Sequence, residues 1–316
     1  MAYSNNTSVS YYMTVAVNNM QCTGRLNGMY LFSEVLPIPK RISFGHTISE
    51  YVDEKENILT LDVNNIAEYV GDGVDQGYCD VRIVAMVKNP QTQEIESKEV
   101  NHIRLTYVPR LEEESSYKYA ISTQASNLSI EPQLAENQII IEELKPIYDA
   151  SKRPVERIKA SRKFFVNHSQ PYSWVKKSTP FEDTPANRQL LWEKYNEIRS
   201  VIIQKDKKAF RKLVDLGVTD VALAQGDRVE DRFDIVFDQI VQEFFDITAG
   251  SPWQSMPLTL DDYDLELYAN GKLFRLNERR YALVSPLQWK NLYGKDTLRY
   301  NPLFTYVDGK IVIATF

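Results

Sequence analysis

The chain has 316 residues, of which 43% are apolar and 25% charged, and its 43 acidic and 37 basic side chains give a formal net charge of -6. The length is a soft prior for two domains, and the composition is that of an ordinary globular protein rather than a disordered one. The negative balance argues against the concentrated basic face that nucleic-acid binding needs, and no apolar run reaches the roughly 18 to 20 residues of a membrane-spanning helix.

The N-terminus, MAYSNNTSVSYYM, lacks the basic start and apolar stretch of a secretory signal. The expected location is therefore the cytoplasm, or the periplasm if a leader has been removed. Residues 24–32, GRLNGMYLF, read as two short strands around Asn27-Gly28, the dipeptide that best tolerates positive φ at both central positions of a type I′ turn. Further on, ILTLDV sets Leu59, Leu61 and Val63 in one row, and DVRIVAMV does the same with Val81, Ile83, Ala85 and Val87. HIRLTYVP turns Ile103, Leu105 and Tyr107 inward and His102, Arg104 and Thr106 outward. Period two across short segments, with Gly, Asn and Pro between them, predicts an antiparallel β-sandwich over residues 1–125, with YKYAIST as its last strand or the start of a connection. Cys22 and Cys79 fit no metal spacing; they are expected as two buried thiols in a cytoplasmic chain, or as a bridge in an oxidising compartment.

Within residues 24–63, the positions Leu26, Asn27, Gly28, Tyr51, Val52, Asn57, Leu59, Leu61 and Val63 resemble the galactose-binding-like jelly-roll sandwich. The resemblance implies an accessory module that binds protein or glycan or packs on a neighbour. In the glycan case Tyr30, Tyr51 and Tyr78 are the stacking platforms.

Residues 126–152 mix Pro, Glu and Ser and are expected to connect two domains, with a short strand or docking segment at 138–144, where three isoleucines adjoin. From residue 153 a helical period is expected. PVERIKASRKFF presents Val155, Ile158 and Phe165 on one side. Thr184 caps a helix with Pro185 in its first turn and with Leu191, Tyr195, Ile198 and Ile202 on one stripe. KDKKAFRKLV continues as a further helix or a kinked extension. Residues 229–247 carry an aromatic stripe, Phe233, Phe237 and Phe244 among it, expected to pack in the core. After Pro252, strands return, with hairpins at Asn270-Gly271 and Asp308-Gly309. Residues 206–213 (DKKAFRKL) and 307–313 (VDGKIVI) resemble the NTF2-like cone, in which helices close over a curved sheet. The long helical lead-in and the segment SPLQWKNLYGKDTLRYN depart from that pattern. The expected fold class is thus α+β in two domains: a sandwich over 1–125, a connection over 126–152, and helices on a curved antiparallel sheet, NTF2-like, over 153–316.

The chemistry is sparse. Of three histidines, His102 lies on the outward face of a strand, His46 sits in SFGHTI, and His168 lies beside a loop with Tyr172 and Trp174 in NHSQPYSW. GDGVDQGYCD fails the spacing of a calcium loop, and DDYDLE reads as a solvated strand edge. No nucleophile elbow, phosphate loop or dinucleotide fingerprint occurs. No catalytic residue, metal or cofactor is expected. The architecture and acidic charge resemble the organisation of immunity proteins that neutralise secreted antibacterial toxins. This implies a non-catalytic interaction protein that occludes a protein partner, such as a basic toxin domain, with Trp253 and Trp289 as anchors. Neither nucleic acid nor membrane is an expected partner. The alternative is an NTF2-like small-ligand-binding protein or enzyme, whose cavity is lined by His168, Tyr172, Trp174, Asp264 and Tyr268. A glycan-binding accessory protein is a further alternative.

Overall fold

Asn27 and Gly28 take φ values of 53° and 86°, both left-handed as a type I′ turn requires. They join β2 (Met20–Leu26) to β3 (Met29–Glu34). The Asn27 side chain then works as a hub. Its Nδ2 donates to Tyr51 O and Asn57 Oδ1, and its Oδ1 accepts from Ile58 N. Asn57 in turn binds Asp53 N, which ties the whole segment to the turn. The positions that carry the jelly-roll resemblance are therefore linked by hydrogen bonds as well as by periodicity.

The computed structural model describes residues 8–34, 41–54, 56–65, 77–88, 92, 94–107, 117–120, 140–148, 154–166, 172–225, 228–237, 253–255, 259–279, 284–291 and 297–315. The chain divides into two units, Met1–Gln170 and Pro171–Phe316.

In the first unit two five-stranded antiparallel sheets form. One has the order β4 (Arg41–Thr47), β1 (Ser8–Asn18), β6 (Gly77–Lys88), β7 (Ile95–Tyr107), β8 (Tyr117–Ala120). The other has the order β3, β2, β5 (Glu56–Asn65), β10 (Pro154–Phe165), β9 (Ile140–Tyr148). The predicted alternation holds: Leu59, Leu61, Val63, Val81, Ile83, Ala85 and Val87 all lie in a single buried cluster. Cys22 of β2 and Cys79 of β6 are both buried in that cluster and form a disulfide, not a pair of thiols. They occupy inward positions on opposite sheets with their Cα atoms 6.3 Å apart, a separation a disulfide spans.

Two expectations change here. PVERIKASRKFF is a strand, not a helix. Its inward row is Ile158, Ala160, Arg162 and Phe164, and a buried arginine in the apolar row hid the period of two. Residues 140–148 pair along β10 as an edge strand of the first unit; the strand or docking segment expected at 138–144 is a strand, and the stretch read as a connection is partly sheet. Long-range pairing with β5, about a hundred residues away, overrides the local helical preference of residues 154–165.

The second unit begins with α1 (Ser173–Lys176), α2 (Pro185–Ile203), α3 (Lys207–Gln225) and α4 (Val229–Val236). Thr184 Oγ1 accepts from Asn187 N at 3.2 Å, the expected cap, and Leu191, Tyr195, Ile198 and Ile202 are the buried stripe of α2. Lys205 (φ 56°) reverses the chain, and Asp206 Oδ1 then caps α3 through Ala209 N at 2.9 Å. Beyond residue 237 the aromatic stripe lies outside the described residues. Four strands follow in the order β12 (Tyr263–Tyr268), β13 (Leu273–Glu278), β16 (Leu303–Val307), β17 (Lys310–Thr315). Three more pair as β11 (Trp253–Ser255), β14 (Leu287–Asn291), β15 (Thr297–Tyr300), so the departing segment from Ser285 onward builds strands of a separate small sheet. Asp308-Gly309 turns as expected, with φ of 50° and 75°. At Asn270-Gly271 the turn is wider: Ala269, Asn270 and Gly271 are all left-handed. A Cβ on Gly271 would come within 2.9 Å of Phe181 O. Mixed helices and antiparallel sheets make the chain α+β. No described helix is long and apolar enough to cross a membrane.

Candidate functional site

The residues proposed to line a cavity stand in different settings. Tyr172 and Trp174 are fully buried at the start of α1, where Ser173 is fixed by Asp220 of α3. Asp220 Oδ2 accepts from Ser173 N at 2.6 Å and Oδ1 from Ser173 Oγ at 2.9 Å; burial pushes its carboxyl above the usual range. His168 lies outside the described residues. Asp264 and Tyr268 do share a row of β12, with Glu266 between them, but in different settings. Tyr268 is buried and donates to the Glu266 carboxylate, which also accepts from Arg275 Nε at 2.9 Å. Asp264 is exposed and accepts from Arg279 Nε at 3.0 Å.

Asp264 borders a small charged cleft of about 410 Å³ lined by Asp183, Pro185, Arg188, Leu260, Asp261 and Arg279. Arg188 grips Asp183 with two bonds of 2.6 and 2.8 Å, which hold that carboxyl below its ordinary pKa. Acids and bases alternate there, and each long side chain is engaged with a neighbour. DDYDLE is thus partly an ion-pair network rather than a bare solvated edge.

The proposed anchors differ as well. Trp289 is 1% exposed and belongs to the core of the second unit, so it offers no surface to a partner. Trp253 stands in β11 opposite Asn291, and its side chain lies outside the described residues.

On the first unit, the outer face of the sheet containing β6 and β7 carries a polar cluster. Asp80 is 8% exposed; His102 Nε2 lies 3.0 Å from its Oδ1 and Arg104 Nη1 3.1 Å from its Oδ2, with Arg82 Nε at 3.2 Å. Burial alone would raise the Asp80 pKa. The bonds and charges of His102 and Arg82 outweigh it and hold the group at about 2. A bulge in β7 shifts the register between Asn101 and Glu99, and leaves Glu99 Oε1 3.8 Å from His102 Nδ1. Among the described residues no three His, Cys, Asp or Glu side chains are placed to hold a metal. Arg104 lies over the Tyr78 ring at 4.7 Å and Arg25 over Tyr30 at 4.3 Å. Each of these proposed glycan platforms already has a guanidinium on its face, and Tyr51 is half-buried against the core.

The more open feature was not among the predicted sites. Between α2, α3 and the β16–β17 hairpin lies a groove of about 590 Å³. Its position follows from local packing. A Cβ on Gly217 would sit 2.9 Å from Ala314 O, so glycine lets α3 lie directly against β17 there. Nearer the start of α3, around Ala209 and Leu213, the helix leaves the Asp308-Gly309 turn partly uncovered. The floor is apolar, formed by Val201, Leu213, Tyr306 and Ile311, with Leu190 at the mouth. Glu193, Lys194, Glu197, Lys212 and Lys310 form the rim. The sequence held one signal of it. Leu191 supplies the core stripe of α2, so its neighbour Leu190 cannot, and Leu190 is 49% exposed.

No family model, curated protein or solved structure matches this chain at a significant level.

Proposed function

We propose that the chain is a non-catalytic interaction protein and that the groove between α2, α3 and the β16–β17 hairpin is where a partner docks. The observation that carries this reading is Leu190, a large apolar side chain left half in water at the mouth of a groove with an apolar floor. Water-exposed apolar concavities rimmed by charge are the usual form of a docking surface. The finer form of the proposal is an immunity protein that occludes a secreted antibacterial toxin. The net charge of -6 supports that form, since it steers a basic toxin domain towards the chain. Helices lying over antiparallel strands in the second unit support the NTF2-like reading of that unit, and the Asn27–Asn57 linkage supports the jelly-roll reading of the first.

The test is quantitative co-purification of the tagged full chain from its native cells, wild type beside Leu190→Asp. A stoichiometric partner held by the wild type and lost from the variant is expected. A partner retained equally by both would remove the groove from the interaction.

A further inference from the structure

The rim of the groove is not electrically neutral, and this narrows what the groove holds. Lys194 Nζ is tied to Glu197 Oε2 at 2.8 Å, so those two cancel. Glu193 accepts from Gln189 Nε2 at 3.1 Å and keeps its charge. Lys212 and Lys310 are both exposed, and neither has an ion-pair partner among the described residues. Two uncompensated cations therefore face one carboxylate, in a chain whose total charge is -6.

Resting on the reading of the groove as a docking surface, we propose that its occupant is a short acidic and apolar segment of a partner protein. Its apolar side chains lie on Leu190, Val201 and Leu213, and its carboxylates pair with Lys212 and Lys310. Three considerations favour this chemistry. Carboxylate–ammonium attraction beside an apolar floor is stronger than on open surface, because part of the water is displaced. A basic segment would set like charges against the two lysines, a mismatch that costs affinity. The chain's overall negative charge acts on the approach of a partner as a whole, whereas the contact chemistry inside the groove is set by the rim. A volume of about 590 Å³ also suits a few side chains of one segment rather than a whole domain face.

The experiment measures binding of fluorescent peptides to the full chain by anisotropy. Three peptides share the same leucine and valine positions and carry aspartate, lysine or serine between them. The aspartate peptide should bind most tightly. Its Kd should weaken by about tenfold or more when Lys212→Glu and Lys310→Glu are combined. Both lysines are exposed, so an unchanged melting curve is the control for folding. Preference for the lysine peptide, or aspartate-peptide binding indifferent to the double reversal, overturns the acidic segment and leaves the docking surface standing. Self-association of the chain that Leu190→Ser abolishes makes the groove an interface between copies and overturns the partner segment. Failure of all three peptides to bind, together with co-purification unaffected by Leu190→Asp, overturns both readings.

Discussion

The two units solve the problem of a stable interior with different materials. The sandwich core is mainly aliphatic, with Tyr11, Phe32 and Phe164 as its aromatic members. The core of the second unit is built on Phe181, Tyr195, Phe210, Phe233, Tyr263, Phe274, Trp289, Tyr300 and Phe304. Aliphatic side chains ask mainly to be packed, and the first unit's two sheets are tied by the disulfide and by the buried Arg162 and Asn101 bonds. Tyrosines bring hydroxyls that must be satisfied where they are buried. Accordingly Tyr195 Oη accepts from Leu276 N at 3.2 Å, and Tyr263 Oη accepts from Gln288 Nε2 at 3.3 Å. Burial pushes the Tyr263 hydroxyl up to about 12. One core is mainly aliphatic and covalently linked, the other mainly aromatic with hydrogen-bonded tyrosines inside it.

The covalent part of that contrast should give the largest effect. A bridge between residues 57 apart restricts the unfolded chain by about 4 kcal/mol on loop-closure grounds. In a Cys22→Ala/Cys79→Ala variant, hydrogen exchange at the Leu61 amide should lose roughly that much protection. The Phe274 amide should keep its own. Equal loss at both sites would show that the units unfold as one body, and the contrast would then be one of composition only.

A smaller effect separates the units by acid. Asp80 has its folded pKa depressed to about 2, below its unfolded value, so its contribution is fully present above that unfolded value. It fades as pH falls towards 2. The displacement corresponds to about 2 kcal/mol. Asp80→Asn should therefore cost about that much at pH 7 and make the first unit's loss of stability between pH 4 and 2 shallower, measured through the Leu61 amide. An unchanged acid profile would mean that His102, Arg82 and Arg104 do not hold the carboxylate.

Much of this was legible in the residues. The Asn27-Gly28 and Asp308-Gly309 turns, the alternating rows of β5, β6 and β7 and the stripe of α2 all have short-range causes: positive φ, period two and period 3.6. Failures had long-range causes. Arg162 sits in the inward row of β10 because its Nη1 reaches His102 O at 3.0 Å, while Asn101 Nδ2 donates to Arg162 O at 3.3 Å. Such a cross-sheet exchange leaves no local trace in KASRKFF. The groove was missed for the same reason: Leu190, Leu213 and Ile311 are far apart in the chain, and only the approach of α3 to β17 at Gly217 gathers them.

The hydrogen-bonded tyrosines of the second unit predict a more modest loss. Tyr195→Phe keeps the ring against Phe304, 5.0 Å between centroids, and removes only the oxygen. The Leu276 amide then lies buried without that acceptor, at a cost of about 1–2 kcal/mol. Thermal unfolding checks it. A variant as stable as wild type would mean that the bond is incidental to the aromatic core.

Asp220 offers the finest test, because it is a buried carboxylate of the second unit and its sign opposes that of Asp80. Burial comes first among the influences on it and raises its pKa; the bonds from Ser173 N and Oγ and the charges of Lys177 and Lys176 oppose this without cancelling it. A folded pKa above the unfolded one means that the group's contribution is fully present below the unfolded pKa and is lost as pH rises through the folded value. Acidification should therefore favour the Asp220 region while it disfavours the Asp80 region. Asparagine is nearly isosteric here: its oxygen still accepts from Ser173 N, and its amide donates to Ser173 Oγ. Asp220→Asn should stay within about 1 kcal/mol of wild type at pH 7, because the hydrogen bonds are kept and a buried charge is removed. The informative reading is the slope, followed at the Ser173 amide by hydrogen exchange from pH 4 to 7. In the wild type, protection should decline across that range, and in the variant the decline should vanish. A wild-type profile that instead rises with pH would mean that Ser173 and the lysines hold Asp220 as tightly as the arginines hold Asp80, and the two units would then share one electrostatic design.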